Sequence, residues 1–270
     1  MSVRFGEFAA TIAVWLFGLI WGLPLLYVIW AAFHPSAFAT NFDLFAPLTL
    51  HNFSRAWDAA PFARYFLNTM LLVLGIMAGQ FVICTLAAFG LARGKLFGGE
   101  FLFVLILIQL MVTPDVLILE NYRTLHGLGL IDTLTGVGLP YVASAFGIFL
   151  LRQAFKSIPK ELDDAARMEG ANNLQTIWRV YLPLARPIYI AYGLVSVSYH
   201  WNNFLWPLIV TNSVETRPVT VGLQVFASVD QGVDWSVICA AALMTSAPLM
   251  IAFLMFQRAF IQSFLRVGIR

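Results

Sequence analysis

The chain has 270 residues, 60% of them hydrophobic and only 11% charged, with a formal net charge of +2 and a mean hydropathy of +0.81. A water-soluble domain of this length needs far more polar surface, so composition excludes one and places the chain in a bilayer. The small net charge supplies no basic field for nucleic acid, and none is expected as a partner.

A helix that crosses hydrocarbon needs roughly 20 apolar residues, because only a helix or a closed barrel satisfies its own backbone where water is absent. Six runs fit: Phe8–Phe33, Tyr65–Ala92, Phe101–Leu119, Leu134–Leu151, Ile188–Thr211 and Ser236–Phe256, with Asp115 the one charge inside them. The ten-residue alternation of a barrel is missing, so the expected fold is all-α, with six spans in one transmembrane domain over residues 1–270. The first run, about 26 residues, exceeds the roughly 7–15 of a signal-peptide core, so "AFA" at Ala37–Ala39 is not read as a cleavage site.

In the first two spans, "GLIWG" (Gly18, Gly22) and "GIMAG" (Gly75, Gly79) are small-residue pairs that let helices approach closely, and packing within the chain is expected of them. Cys84 and Cys239 both fall inside spans, form neither a disulfide framework nor a metal spacing, and read as packing residues.

An even number of spans puts both termini on one side, and the Lys/Arg bias names it. The N-terminus, Arg93–Glu100, Arg152–Pro187 and the tail after Phe256 carry twelve of the sixteen basic residues; the opposite loops hold only Arg55, Arg64, Arg123 and Arg217, against eight acids. Both termini and the long loop 152–187 are therefore expected in the cytoplasm. The outer segments Asn41–Arg64 and Asn212–Trp235 are candidates for seating a solute-binding protein, with simple loop packing as the alternative.

Several chemistries find no support. "GLARGKL", Gly90 to Leu96, lacks the four-residue spacing and the following Ser or Thr of a phosphate loop, so Arg93 and Lys95 read as membrane anchors. His34, His51, His126 and His200 are scattered singly, and HExxH, GxSxG and CxxC do not occur; no catalytic residue, no metal site and no cofactor in this chain are expected. The spans carry almost no ionisable group for ion coupling, His200 excepted. Any energy used must enter from outside this chain.

The cytoplasmic loop is the polar exception. "SIPKELDDAARMEG" offers Ser157 as a cap, Pro159 near the first helical position, Glu161, Asp163 and Asp164 in the first turn and a stop at Gly170. Leu162, Ala165, Ala166 and Glu169 share one face, whose small alanines admit a partner surface, while the acids and Arg167 at its edges orient it; the alternative is an amphipathic helix lying at the headgroups. A second helix is expected from Asn172 or Asn173, broken by Pro183 and Pro187. Further on, "HWNNFLWP" gathers amide and aromatic groups before Pro207, which is expected to interrupt the fifth span.

These residues resemble the permease subunits of binding-protein-dependent ABC importers, whose loop motif runs E-A-A, three residues, G, nine residues, I, one residue, L-P. The chain reads Asp164-Ala165-Ala166, Gly170, Val180, then Leu182-Pro183, with Asp for Glu and Val for Ile as the only departures. "LRQAFKSIPKELDDAARMEGA", "WNNFLWPLIV" and "TRPVTVGLQVF" look closest to the six-helix second permease of carbohydrate systems, similar to those for maltose and glycerol-3-phosphate.

The resemblance implies a type I importer bundle in a bacterial or archaeal cytoplasmic membrane, paired with a second permease, two copies of an ABC ATPase that bind ATP and Mg, and a periplasmic or extracellular solute-binding protein. It implies coupling to the ATPase through Glu161, Asp164, Ala165, Ala166, Gly170, Val180, Leu182 and Pro183. The solute path is expected to include His200, Asn202, Asn203 and Trp206, because amides bond hydroxyls and aromatic faces stack on sugar rings; the alternative is that Trp marks the outer interface, Asn bonds a neighbouring helix and the companion permease makes most solute contacts. A sugar is the expected solute; glycerol-3-phosphate or its diesters, a stand-alone secondary transporter and a membrane scaffold without transport are the alternatives.

Overall fold

The computed structural model describes residues 2–39, 41, 43, 45–94, 96–227 and 233–268, with side chains described from residue 10 to residue 257. All regular structure among them is helical. Among the described residues, three helices are long and apolar enough to cross a membrane unbroken: Ala10–Ala32, Phe62–Arg93 and Trp235–Gln257. Three further candidates are helix pairs with a sharp bend between them.

Breaks divide three of the expected runs. Phe101–Leu119 divides into a helix Gly99–Gln109 and a second helical piece set at 90° to it, a 3-10 turn Pro114–Leu117 running into the helix Ile118–Gly127. Pro114 has no N–H to donate, and it forces Thr113 before it into extended backbone (φ −68°, ψ 137°). Leu134–Leu151 divides between Tyr141 and Ala145 with a 47° bend, and Ser144 starts the helix Ala145–Ser157 by accepting the Gly147 N–H at 3.1 Å. In the fifth run the helix Arg186–Trp201 stops at Asn202 and resumes as Leu205–Val210. Pro207 is thus not the interruption; it sits in the first turn of the second piece, where a missing N–H costs no helical bond. Broken backbone at membrane depth is tolerated only where it is buried in protein or lines a cavity.

The chain clusters into two compact units, residues 1–62 with 222–248, and residues 63–221 with 249–270. In the first, Ala31, Ala32, Cys239 and Ala240 are buried together, with Phe33 and Phe53 against them. Asn52 closes the end of the first helix by donating to the carbonyls of Ala32 (2.9 Å) and His34 (2.8 Å). Asp234 caps the last helix through the Val237 N–H and also binds Ser36 (2.7 Å) and Arg55 (2.8 Å). Its carboxyl lies below the usual range: burial raises it, and the Ser36, Val237 and Arg55 bonds outweigh that.

In the second unit, Cys84, Leu151, Phe155, Ile177, Tyr181 and Tyr189 form the main buried cluster. Cys84 and Cys239 are both buried free thiols. The glycine pairs behave differently from the expectation of packing within the chain. A Cβ at Gly18, Gly22 or Gly75 would meet nothing within 4 Å, and only Gly79 is approached, by Val142 at 3.4 Å.

Candidate functional site

Two places gather the residues singled out by the sequence, and both lie in the second unit. The first is a cavity of about 320 Å³, lined by Gln80, Asn121, Tyr141, Ser196, Tyr199 and His200 among others. It sits against the breaks before Pro114 and after Tyr141, so the broken spans supply its wall. Among the described lining residues none is Asp, Glu, Lys or Arg.

Gln80 is the centre of its polar network. Its Oε1 accepts from Tyr192 (2.9 Å) and Ser196 (2.7 Å), and its Nε2 donates to the Tyr141 carbonyl at 2.7 Å and lies 3.2 Å from His200 Nε2. Two other segments, the helix Arg186–Trp201 and the turn Leu139–Tyr141, are therefore fixed through one amide near the middle of the helix Phe62–Arg93. Gly147 makes the arrangement possible, since a Cβ there would stand 2.5 Å from the Tyr192 ring carbon and hydroxyl.

Of the path residues expected from sequence, His200 lines this cavity and is buried. Asn203 donates to the Tyr141 hydroxyl at 3.0 Å, one step behind the wall. Trp206 is buried and spends its indole N–H on the Val137 carbonyl at 3.0 Å, and Asn202 is exposed and turns its amide back to Ser198. The four do not converge. Gln80, Tyr141, Tyr192 and Ser196 were not foreseen; a lone Gln inside an otherwise apolar run, "MAGQFVI", was the available signal.

The second place is the loop 152–187. The helix Lys160–Met168 follows an extended Pro159, and Ser157 does not cap it but donates to Ala154 instead. Gly170 turns the chain with φ +81°, a left-handed conformation that glycine adopts without strain. Asn172 then caps the next segment in a full capping box with Gln175, both bonds 2.9 Å. That segment continues through a π-turn Ile177–Tyr181 and past Pro183 to Leu184, breaking at Ala185 with an 81° bend.

The face bearing Leu162, Ala165 and Glu169 is exposed, and Glu161 and Asp164 are exposed beside it. Asp163 is buried and pairs through Oδ2 with the half-exposed Arg167 at 3.5 Å inside its own helix. Met168 (89% exposed) and Trp178 (70%) add bare apolar surface, and Ala166, Gly170 and Val180 share a hollow of about 210 Å³.

The loop is bolted to the membrane helices. Arg93 donates to the carbonyls of Phe155 (2.9 Å) and Ile158 and lies 5.6 Å from the Tyr181 ring. Arg152, buried, stacks 3.8 Å above Phe103 and pairs with Glu100, which Lys156 also reaches at 3.1 Å. The Lys156 hydrogen bond, with the Arg152 charge, holds the Glu100 carboxyl below its ordinary range. Arg93 is thus more than a membrane anchor: it ties the second span to both ends of the loop.

Elsewhere in the same unit, Asp132 adopts φ +59° and accepts from the N–H groups of Asn212 (2.8 Å) and Ser213 (3.0 Å) and from the Thr216 hydroxyl. Burial pushes its carboxyl up, but these bonds prevail and set it at about 2. Arg64 and Asn68 add bonds to the Glu215 carbonyl, so segment 211–217 is held firmly.

Residues 3–266 match the family described as "Binding-protein-dependent transport system inner membrane component". The chain is 31% identical over 261 residues to the probable ABC transporter permease protein YurM of Bacillus subtilis, covering 95% of this chain and 86% of that one. It is 32% identical to the arabinooligosaccharides transport system permease protein AraQ of Halalkalibacterium halodurans (92% and 90% covered). With the sn-glycerol-3-phosphate transport system permease protein UgpE of Yersinia pestis it shares 29% (89% and 90% covered). Its fold matches a chain of a bacterial ABC transporter involved in the import of the acidic polysaccharide alginate, with TM-score 0.87 and 23% identity over 96% of this chain and 98% of that one. The chain belongs to the family of inner membrane components of binding-protein-dependent transport systems, with the fold of a type I ABC importer permease.

Proposed function

We propose that this permease forms the path for a neutral carbohydrate in an ATP-driven importer, with ATP hydrolysis in a separate subunit. The observation that carries the solute class is the cavity: amide, hydroxyl, imidazole and tyrosine groups, and no charged side chain among its described lining. Such groups match a polyhydroxylated solute, whereas a phosphate ester moving through a low-dielectric site calls for cations. The relative that transports arabinooligosaccharides supports this reading; the glycerol-3-phosphate relatives favour the second one.

The full machine in this reading has a second permease, two ATPase subunits and a solute-binding protein, with both termini of this chain cytoplasmic. A related alginate transporter has been seen with its pentasaccharide-bound periplasmic protein, which supports the outer partner. ATP binding moves the ATPase pair, the exposed face of Lys160–Met168 follows it, and the Arg93 and Arg152 bolts carry the motion into the spans. Glu161, Asp164, Ala165, Ala166 and Gly170 act at the docking face, and Val180, Leu182 and Pro183 shape its second half.

The test is uptake by the assembled transporter in proteoliposomes supplied with its binding protein and ATP, offered arabinotriose, maltotriose or sn-glycerol-3-phosphate. ATP-dependent uptake of a neutral oligosaccharide is expected. Uptake of the phosphate ester alone would replace the carbohydrate reading, and uptake without the ATPase would point to a stand-alone transporter.

A further inference from the structure

We infer that Gln80 is a positioning residue for solute transfer: it fixes His200 as a neutral imidazole protonated on Nδ1, and that N–H is the donor presented to an uncharged solute oxygen. The inference rests on the reading of the cavity as the solute path.

The geometry determines each proton in turn. Gln80 is 3% exposed, so its amide must find all its partners inside the protein. Reversing the amide would set its oxygen 2.7 Å from the Tyr141 carbonyl oxygen, two acceptors with no proton between them. The nitrogen therefore faces Tyr141, and the oxygen takes the Tyr192 and Ser196 hydroxyls. The second amide hydrogen is directed to His200 Nε2 at 3.2 Å. A donor there requires a lone pair on Nε2, which leaves the ring proton on Nδ1. An imidazolium would oppose two donors at the same place, so the network admits the neutral ring alone.

Nδ1 has no partner among the described residues, although His200 is only 6% exposed. The ring is held between Tyr141 (4.9 Å) and Tyr199 (5.0 Å), so it does not turn away to find one. A buried donor without an acceptor, on a residue that lines a cavity, is a binding group awaiting a ligand oxygen. Without a cation in the described lining, a hydroxyl or ring oxygen fits that donor.

The deciding measurement is ¹⁵N NMR of histidine-labelled chain in the assembled transporter in nanodiscs, with the His200 signals assigned by their loss in His200→Gln. Wild type is expected to show one protonated Nδ1 and one bare Nε2; in Gln80→Leu the two tautomers mix. A protonated Nε2 in wild type, or an unchanged spectrum in Gln80→Leu, overturns the inference. Uptake separates donation from scaffolding, because an Asn amide reproduces Nδ1 and a Gln amide reproduces Nε2. KM for arabinotriose or maltotriose should rise about tenfold in His200→Gln and distinctly less in His200→Asn, the loss of one hydrogen bond to solute. The reverse order would make His200 a purely structural partner of Gln80. If sn-glycerol-3-phosphate alone is taken up, the carbohydrate reading fails while the tautomer result stands or falls by itself.

Discussion

Gly147→Ala adds one carbon at a position where the backbone is ordinary helix and only space is at issue. The new methyl would stand 2.5 Å from both Cζ and the hydroxyl of Tyr192 and 2.9 Å from Cε1, against the roughly 3.5–4 Å of a comfortable carbon contact. Tyr192 is 2% exposed and cannot swing into solvent, so its ring must move by about 1 Å and its 2.9 Å bond to Gln80 is lost. Overpacking costs about 1–3 kcal/mol. Stranding a buried hydroxyl adds about 1 kcal/mol or more, for a total of about 2–4 kcal/mol. The assay is unfolding of the purified chain by SDS titration in mild detergent, run as a double-mutant cycle with Tyr192→Ala. Because the clash needs both side chains, the double variant should be no less stable than Tyr192→Ala alone. Additive losses would show that Gly147 matters for another reason and would refute the steric account.

Arg93→Ala removes the bonds to the Phe155 and Ile158 carbonyls and the contact with Tyr181, so hydrogen exchange should rise across residues 154–162 by at least tenfold while the distal span ends keep their protection. At Gly170, an alanine must hold φ +81°, which costs about 1–2 kcal/mol at the loop turn; co-purification of the ATPase should weaken at normal membrane levels, and more so in Gly170→Pro. Asp132 has its folded carboxyl at about 2, below the ordinary 3.8, so its contribution is present above about pH 4 and is lost as pH falls through about 2. Thermal stability should therefore be insensitive to this group from pH 5 to 8, while Asp132→Asn lowers it by about 1 kcal/mol after allowance for solvent screening. A wild-type-like midpoint for that variant would remove the staple from the account.

The long helices Ala10–Ala32, Phe62–Arg93 and Trp235–Gln257 were legible because burial in lipid demands a run of apolar residues that composition cannot hide. Where spans break was not, since a run such as Phe101–Leu119 stays apolar through a 90° bend, and Pro114 within it reads equally as a tolerated kink. The loop was legible in detail because turn chemistry is local: Gly170 and Asn172 do what their residue types predict. Ser157 failed as a cap because the extended Ile158–Pro159 link carries the next helix out of its reach. The cavity was only half legible. His200 stood out as an ionisable group in a span, but Gln80 lies 120 positions away, and only the tertiary structure brings its amide to the imidazole. Gly147 likewise gave no sign that it faces Tyr192.

The central claim is that the exposed face of Lys160–Met168 docks on a separate ATPase. A photo-activated cross-linker at Ala165, in the native membrane with all partners present, tests it most directly. The account predicts a single dominant adduct with an ATP-binding subunit, weakened when Gly170 is replaced by proline. Cross-links to lipid alone, at full expression of the partner subunits, would contradict it.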